Sequence, residues 1–151
     1  MCDTFRFDVH IGNVLKMCSQ RIYFLKFLLD QGLPRHYLNT VFSALLLSRI
    51  QYVIPTWSGF LSAELKSQVN SFLKRAFKYG FCCSLYTIEA IAEDADIDLF
   101  CKMARSDHLL LSPVKSSTHH LRPKGHTHEL PRCDSEMCKK SFVHRCLFRY
   151  V

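Results

Sequence analysis

Apolar residues recur at three- and four-residue intervals through most of this chain, the period of helices that bury one face. Asn13 stands where an N-cap would open a first helix over 13–31, with Val14, Leu15, Cys18, Ile22, Leu25 and Leu29 in one stripe and Gly32 just past its end. Pro34 suits the first turn of a second helix, in which Tyr37, Leu38, Val41, Phe42, Leu45 and Ile50 follow at helical spacing until Pro55 forbids continuation. The short loop between the two favours an antiparallel pair. Ser62 caps a third helix, carrying Leu65, Val69, Phe72, Leu73, Ala76 and Phe77 and stopped by Gly80. Thr87 opens a fourth, with the stripe Ile88, Ile91, Ala92, Ala95, Leu99 and Met103. Its acids, Glu89, Glu93, Asp94, Asp96 and Asp98, precede Lys102 and Arg105, an order that complements the helix dipole.

The pattern fails after Leu111. Ser112-Pro113-Val114-Lys115-Ser116-Ser117-Thr118 is rich in helix breakers, and periodicity returns only in a last amphipathic segment with Phe142, Val143, Cys146, Leu147 and Tyr150, capped by Ser141. The expected architecture is therefore all-α. A bundle of about four helices over 1–111 precedes a basic, partly irregular extension over 112–151 that folds back through a short final helix.

Composition supports a folded domain. Hydrophobic residues make up 48% of the 151 positions and charged residues 22%, too apolar for a disordered chain. The longest apolar stretch, Val41 to Leu47, is cut off by Arg49, far short of a membrane span. The opening Met1-Cys2-Asp3-Thr4-Phe5-Arg6 lacks the charged-then-apolar succession of a signal peptide, so an intracellular setting, nucleus or cytoplasm, with reduced cysteines is expected. Net charge is +7, unevenly spread: 12 Lys/Arg against 10 Asp/Glu in 1–112, but 8 against 3 in 113–151. That asymmetry makes the extension a candidate surface for a polyanion.

Candidate chemistry follows from placement. Lys66, Lys74 and Lys78 share a face of the third helix, with Arg75 at its edge and no acid expected opposite, a strip suited to a phosphate backbone. Arg122, Lys124, Lys139, Lys140, Arg145 and Arg149 extend it into the basic tail. Asp94, Asp96 and Asp98 alternate along a helix, so they scatter round it as a solvated acidic surface. Cys82 and Cys83 have no His placed beside them, so no thiol nucleophile is read there. Cys133, Cys138, His144 and Cys146 read C-x4-C-x5-H-x-C, with His126 and His128 upstream. Those residue types suit tetrahedral zinc. The spacing argues against it, because His144 and Cys146 point to different sides of a helix. No metal ligand, cofactor or catalytic residue is assigned. Trp57 is expected to pack beneath the connection between the second and third helices rather than to stack on a base.

Three strings, Phe7-Asp8-Val9-His10-Ile11, then Cys18-Ser19-Gln20-Arg21-Ile22-Tyr23-Phe24-Leu25, then Tyr52 five positions before Trp57, resemble the stretch that follows the polymerase core in reverse transcriptases of non-LTR retrotransposons. The likeness continues through Leu121-Arg122-Pro123-Lys124-Gly125-His126 and Ser141-Phe142-Val143-His144-Arg145. It implies the end of a palm, a thumb helix, and a Tyr…Trp hairpin after it. The parent enzymes are RNA-directed DNA polymerases that hold two metal ions with an Asp-Asp pair, and no such dipeptide occurs here. The resemblance thus implies a truncated segment without polymerase activity that grips RNA or an RNA–DNA hybrid by charge and shape. It implies neither a membrane nor a small-molecule substrate. Two other classes stay open: a helical interaction module whose apolar patch meets a missing palm or a second copy, and a translated relic with no selected function.

Overall fold

The computed structural model describes residues 7–106, 108–114 and 128–149, and its architecture is all-α. Helix α1 (Asp8–Asp30) packs against α2 (Arg35–Phe42) and α5 (Ala63–Lys78), and α5 against α6 (Ile88–Arg105). Between α2 and α5 lie a π-helical turn (Ser43–Leu47), α3 (Ser48–Gln51), α4 (Ile54–Trp57) and a 3-10 turn (Ser58–Phe60). After residue 128 the chain forms α7 (Glu136–Lys140) and α8 (Phe142–Arg149), and α8 lies on α6.

The main core runs through the bundle. Ile11, Cys18 and Leu25 of α1 meet Leu38, Phe42, Leu46 and Ile50, and α5 supplies Val69, Phe72, Leu73 and Ala76. A smaller cluster under α8 joins Phe100, Cys146 and Leu147, with Leu111, Phe142 and Val143 against it. Both helix stops placed at glycines are Schellman ends. Gly32 has φ +83° and Gly80 φ +77°, and the residues that follow them, Leu33 and Phe81, donate back to the Leu28 and Ala76 carbonyls. Ser62 and Thr87 cap as expected, accepting from the Leu65 and Ala90 amides.

Several expectations are corrected. Helix α1 begins at Asp8, five residues before Asn13: Ile11 in its first turn is buried in the core, and the Phe7 and His10 rings meet Phe60 and Trp57. The second helix is interrupted by the π-helical turn, whose displaced Leu45 carbonyl accepts from Arg21 Nη1 at 2.6 Å. Tyr52 and Trp57 bracket a helical turn, not a hairpin: the Tyr52 carbonyl accepts from Trp57 Nε1 at 3.1 Å, and Val53 between them has φ +52°. Trp57 itself is buried as expected. On α6, Phe100 replaces Leu99 on the buried face, and Phe77 of α5 lies outside its stripe, exposed. The C-terminal unit starts earlier than its apolar period suggests, since α7 precedes Ser141.

Asp96 departs furthest from expectation. It is 3% exposed, not part of a solvated acidic surface. Burial pushes its carboxyl upward from the ordinary range, and hydrogen bonds from Arg145 pull it back down in part. Gly59 faces the same junction. A Cβ there would collide with the Arg145 guanidinium and the Lys140 carbonyl, so the close approach of α7 and α8 to the 3-10 turn requires glycine.

Candidate nucleic-acid interface

Helix α5 owes its two-sidedness to its sequence. Val69, Phe72, Leu73 and Ala76 face the core, which leaves Lys74, Arg75 and Lys78 exposed over its last turns. Among the described residues none of these three has an acid within ion-pair distance. Their positive charge also offsets the negative end of the helix dipole.

The fold adds two cations that sequence reasoning missed. Lys26 of α1 places Nζ 4.5 Å from the centre of the Tyr79 ring, and the Arg35 guanidinium lies against Gly80. Tyr79 and Gly80 directly follow α5, so Lys26 and Arg35 join its cationic end. No spacing rule links residues 26 and 35 to 78. Only the packing of α1 against α5 and of α2 against α1 brings them there. Arg75 faces a shallow cleft between α1 and α5 shared with Leu15, Ser19, Ser67, Gln68, Ser71 and Phe72, of mixed polar and apolar lining.

The remaining candidates separate. Lys66 does not share an acid-free strip, because it lines a cleft with Glu89, Glu93, Asp96, Arg145 and Arg149. Arg145 is turned inward: Nε and Nη2 donate to both Asp96 oxygens at 2.8–3.0 Å, Nη2 also to the Pro55 carbonyl and Ser58 Oγ, and Nη1 to the Lys140 carbonyl. A guanidinium so engaged is a structural group rather than a surface one. Arg149 reaches Glu93 at 2.6 Å, and Lys139 pairs with Glu136 at 2.8 Å, both at the surface. The Lys139–Glu136 contact holds the Glu136 carboxyl below, and the Lys139 ammonium above, their ordinary ranges. Lys140 is exposed. Arg122 and Lys124 lie outside the described residues.

Residues of the strings 7–11, 18–25 and 52–57 take packing roles. His10 meets Trp57, Trp57 binds the Tyr52 carbonyl, Arg21 braces the π-helical turn, and Cys18 Sγ lies 4.0 Å from the Leu46 carbonyl oxygen. Cys82 is buried and its thiol is pushed up to about 11, chiefly by burial, which disfavours the nucleophilic thiolate.

The Cys/His residues divide. Cys146 is buried beside Phe100 and Leu147, its thiol pushed up to about 12 mainly by burial. His144 lies on the other side of α8, as the two-residue spacing requires. Yet Cys133, Cys138 and His144 converge, their ligating atoms all within 4.8 Å of one another. Sequence reasoning missed this because Ser141, with φ −63° and ψ 151°, breaks the helix between α7 and α8 and folds His144 back toward Cys138. His128 is buried elsewhere, with Nδ1 at 2.8 Å from the Ser112 carbonyl oxygen.

No helix among the described residues is long and apolar enough to cross a membrane. No family model, curated protein or solved structure matches this chain.

Proposed function

We propose that this chain is a thumb-like, post-palm segment of a non-LTR retrotransposon reverse transcriptase and binds RNA or an RNA–DNA hybrid through phosphate contacts. The observation that carries this reading is the cationic end of α5, where Lys74, Arg75 and Lys78 are exposed without an ion-pair partner among the described residues and Lys26 and Arg35 are gathered beside them. Such a surface tracks a backbone without reading bases, so binding is driven by charge and shape. Lacking an Asp-Asp pair, these 151 residues are not assigned polymerase activity. The reading places the chain inside the cell, where nucleic acid is present and its thiols stay reduced.

A second reading rests on α1. Its outward face carries Val9, Met17, Tyr23, Phe24 and Phe27, with Tyr23 75%, Phe24 61% and Phe27 53% exposed. Clustered aromatics on one helix face favour a protein partner, in this setting the palm that precedes a thumb.

Binding of an RNA–DNA hybrid measured across salt concentrations tests the first reading. About six phosphate contacts give a log–log slope of roughly −5. No binding at low salt overturns it. Salt-insensitive self-association would then favour the interaction module, and a molten product the relic.

A further inference from the structure

Cys133 precedes α7, Cys138 sits within it and His144 lies in the first turn of α8, so three consecutive pieces of chain present soft ligands to one point. We propose that Cys133 Sγ, Cys138 Sγ and His144 Nε2 form a zinc site, with water in the fourth tetrahedral position.

Distance is the first support. Zinc bound at about 2.3 Å to sulfur and about 2.0 Å to nitrogen sets tetrahedral ligands roughly 3.5 to 3.8 Å apart. The three ligand atoms lie within 4.8 Å of one another, and Cys138 Sγ is 3.3 Å from His144 Nε2. Only small side-chain rotations separate this arrangement from a coordination sphere.

Ser141 is the second, independent support. Its hydroxyl donates to the Cys138 carbonyl at 2.7 Å and lies 2.9 Å from His144 Nδ1. A hydroxyl has one proton, and with that proton on the carbonyl its oxygen accepts from Nδ1–H. The imidazole is thereby held in the tautomer whose Nε2 lone pair faces the sulfur. A zinc-ligating histidine needs this outer hydrogen bond, which fixes ring and tautomer together. A metal-free chain from Cys133 through Cys138 to His144 would use the same tautomer, and metal titration separates it from a zinc site.

Charge closes the case. Binding releases the two thiol protons to solvent, and two thiolates with a neutral imidazole cancel the double charge of the ion. A neutral centre suits side chains that are half-buried, as all three are. The site would clasp the segment before α7 to both C-terminal helices, beside the Arg145 anchor.

The test uses the full reduced chain, stripped with chelator and titrated with zinc and then with cobalt. One zinc per chain is expected. Cobalt should show the intense visible bands of tetrahedral geometry and near-ultraviolet thiolate-to-metal charge transfer. Cys138→Ser should abolish the charge-transfer gain of one thiolate and weaken binding at least ~100-fold, and Ser141→Ala should weaken it ~10- to 100-fold while keeping the stoichiometry. Cys83→Ser and Cys101→Ser, in exposed thiols outside the cluster, should change nothing. Should a variant misfold, zinc protection of Cys133 and Cys138 from alkylation, mapped by mass spectrometry on the wild-type chain, reads the same site. An octahedral cobalt spectrum without thiolate bands, or no protection of these two thiols, overturns the proposal.

Discussion

Arg145 and Asp96, 49 positions apart, form a bidentate pair in which the aspartate side chain is 4% and the arginine side chain 20% exposed. The Pro55 and Lys140 carbonyls and the Ser58 hydroxyl oxygen also accept from the guanidinium, so the arginine ties α8 to α6, to the start of α4 and to the 3-10 turn. Desolvating both charges is costly, and the bidentate geometry together with these further hydrogen bonds offsets that cost.

Removing one partner should therefore be expensive. Asp96→Asn leaves a buried guanidinium without its counter-charge and is expected to cost about 3–5 kcal/mol in urea denaturation. The double variant Asp96→Leu, Arg145→Met should recover most of that loss. If Asp96→Asn costs under about 1 kcal/mol, the C-terminal unit is anchored by its apolar cluster instead.

Replacing Lys74, Arg75 and Lys78 by Gln is expected to flatten the salt dependence of hybrid binding by about two to three log–log units. Helicity measured by circular dichroism should not change, because all three side chains are exposed. Lys26→Gln and Arg35→Gln should each remove up to about one further unit. An unchanged slope in the triple variant would move the binding surface off α5.

Val53 adopts φ +52°, a left-handed conformation that costs a non-glycine residue roughly 1–2 kcal/mol and is worse for a β-branched one. Its side chain is 46% exposed, so little packing is at stake. Val53→Gly should raise the thermal midpoint. A lower midpoint would mean that the lost apolar contact and the freer unfolded chain outweigh the strain.

Asn70 of α5 serves the start of α6: its Oδ1 accepts from the Ile88 amide at 2.8 Å and its Nδ2 donates to Glu89 at 2.9 Å. Asn70→Ala leaves a part-buried amide unsatisfied and should cost about 1–2 kcal/mol. Asn70→Ser, shorter by the amide group, should recover little of it. Thermal unfolding of the three proteins checks the ordering.

Legibility followed the range of the interaction. The caps at Ser62 and Thr87, the stops at Gly32 and Gly80 and the core stripe of α5 apart from Phe77 depend on residues within about four positions, and each was readable from spacing. Longer reach was not. The start of α1 depends on rings of Phe60 and Trp57 some 50 residues away, and the interruption at Ser43–Leu47 is braced by Arg21 across 24 positions.

By itself the sequence determined that the chain is helical, roughly where each long helix lies, which faces are apolar, and that α5 turns a basic face outward, because 3.6-residue periodicity and capping are local properties. Tertiary structure alone decided which charged groups remain at the surface. It buried Asp96 against Arg145, drew Lys66 toward Glu89 and Glu93, and added Lys26 and Arg35 to the end of α5. It also closed Cys133, Cys138 and His144 into one cluster through the break at Ser141. A helical period tells which side of its own helix a residue occupies, but the group it meets there depends on how the chain reverses between helices.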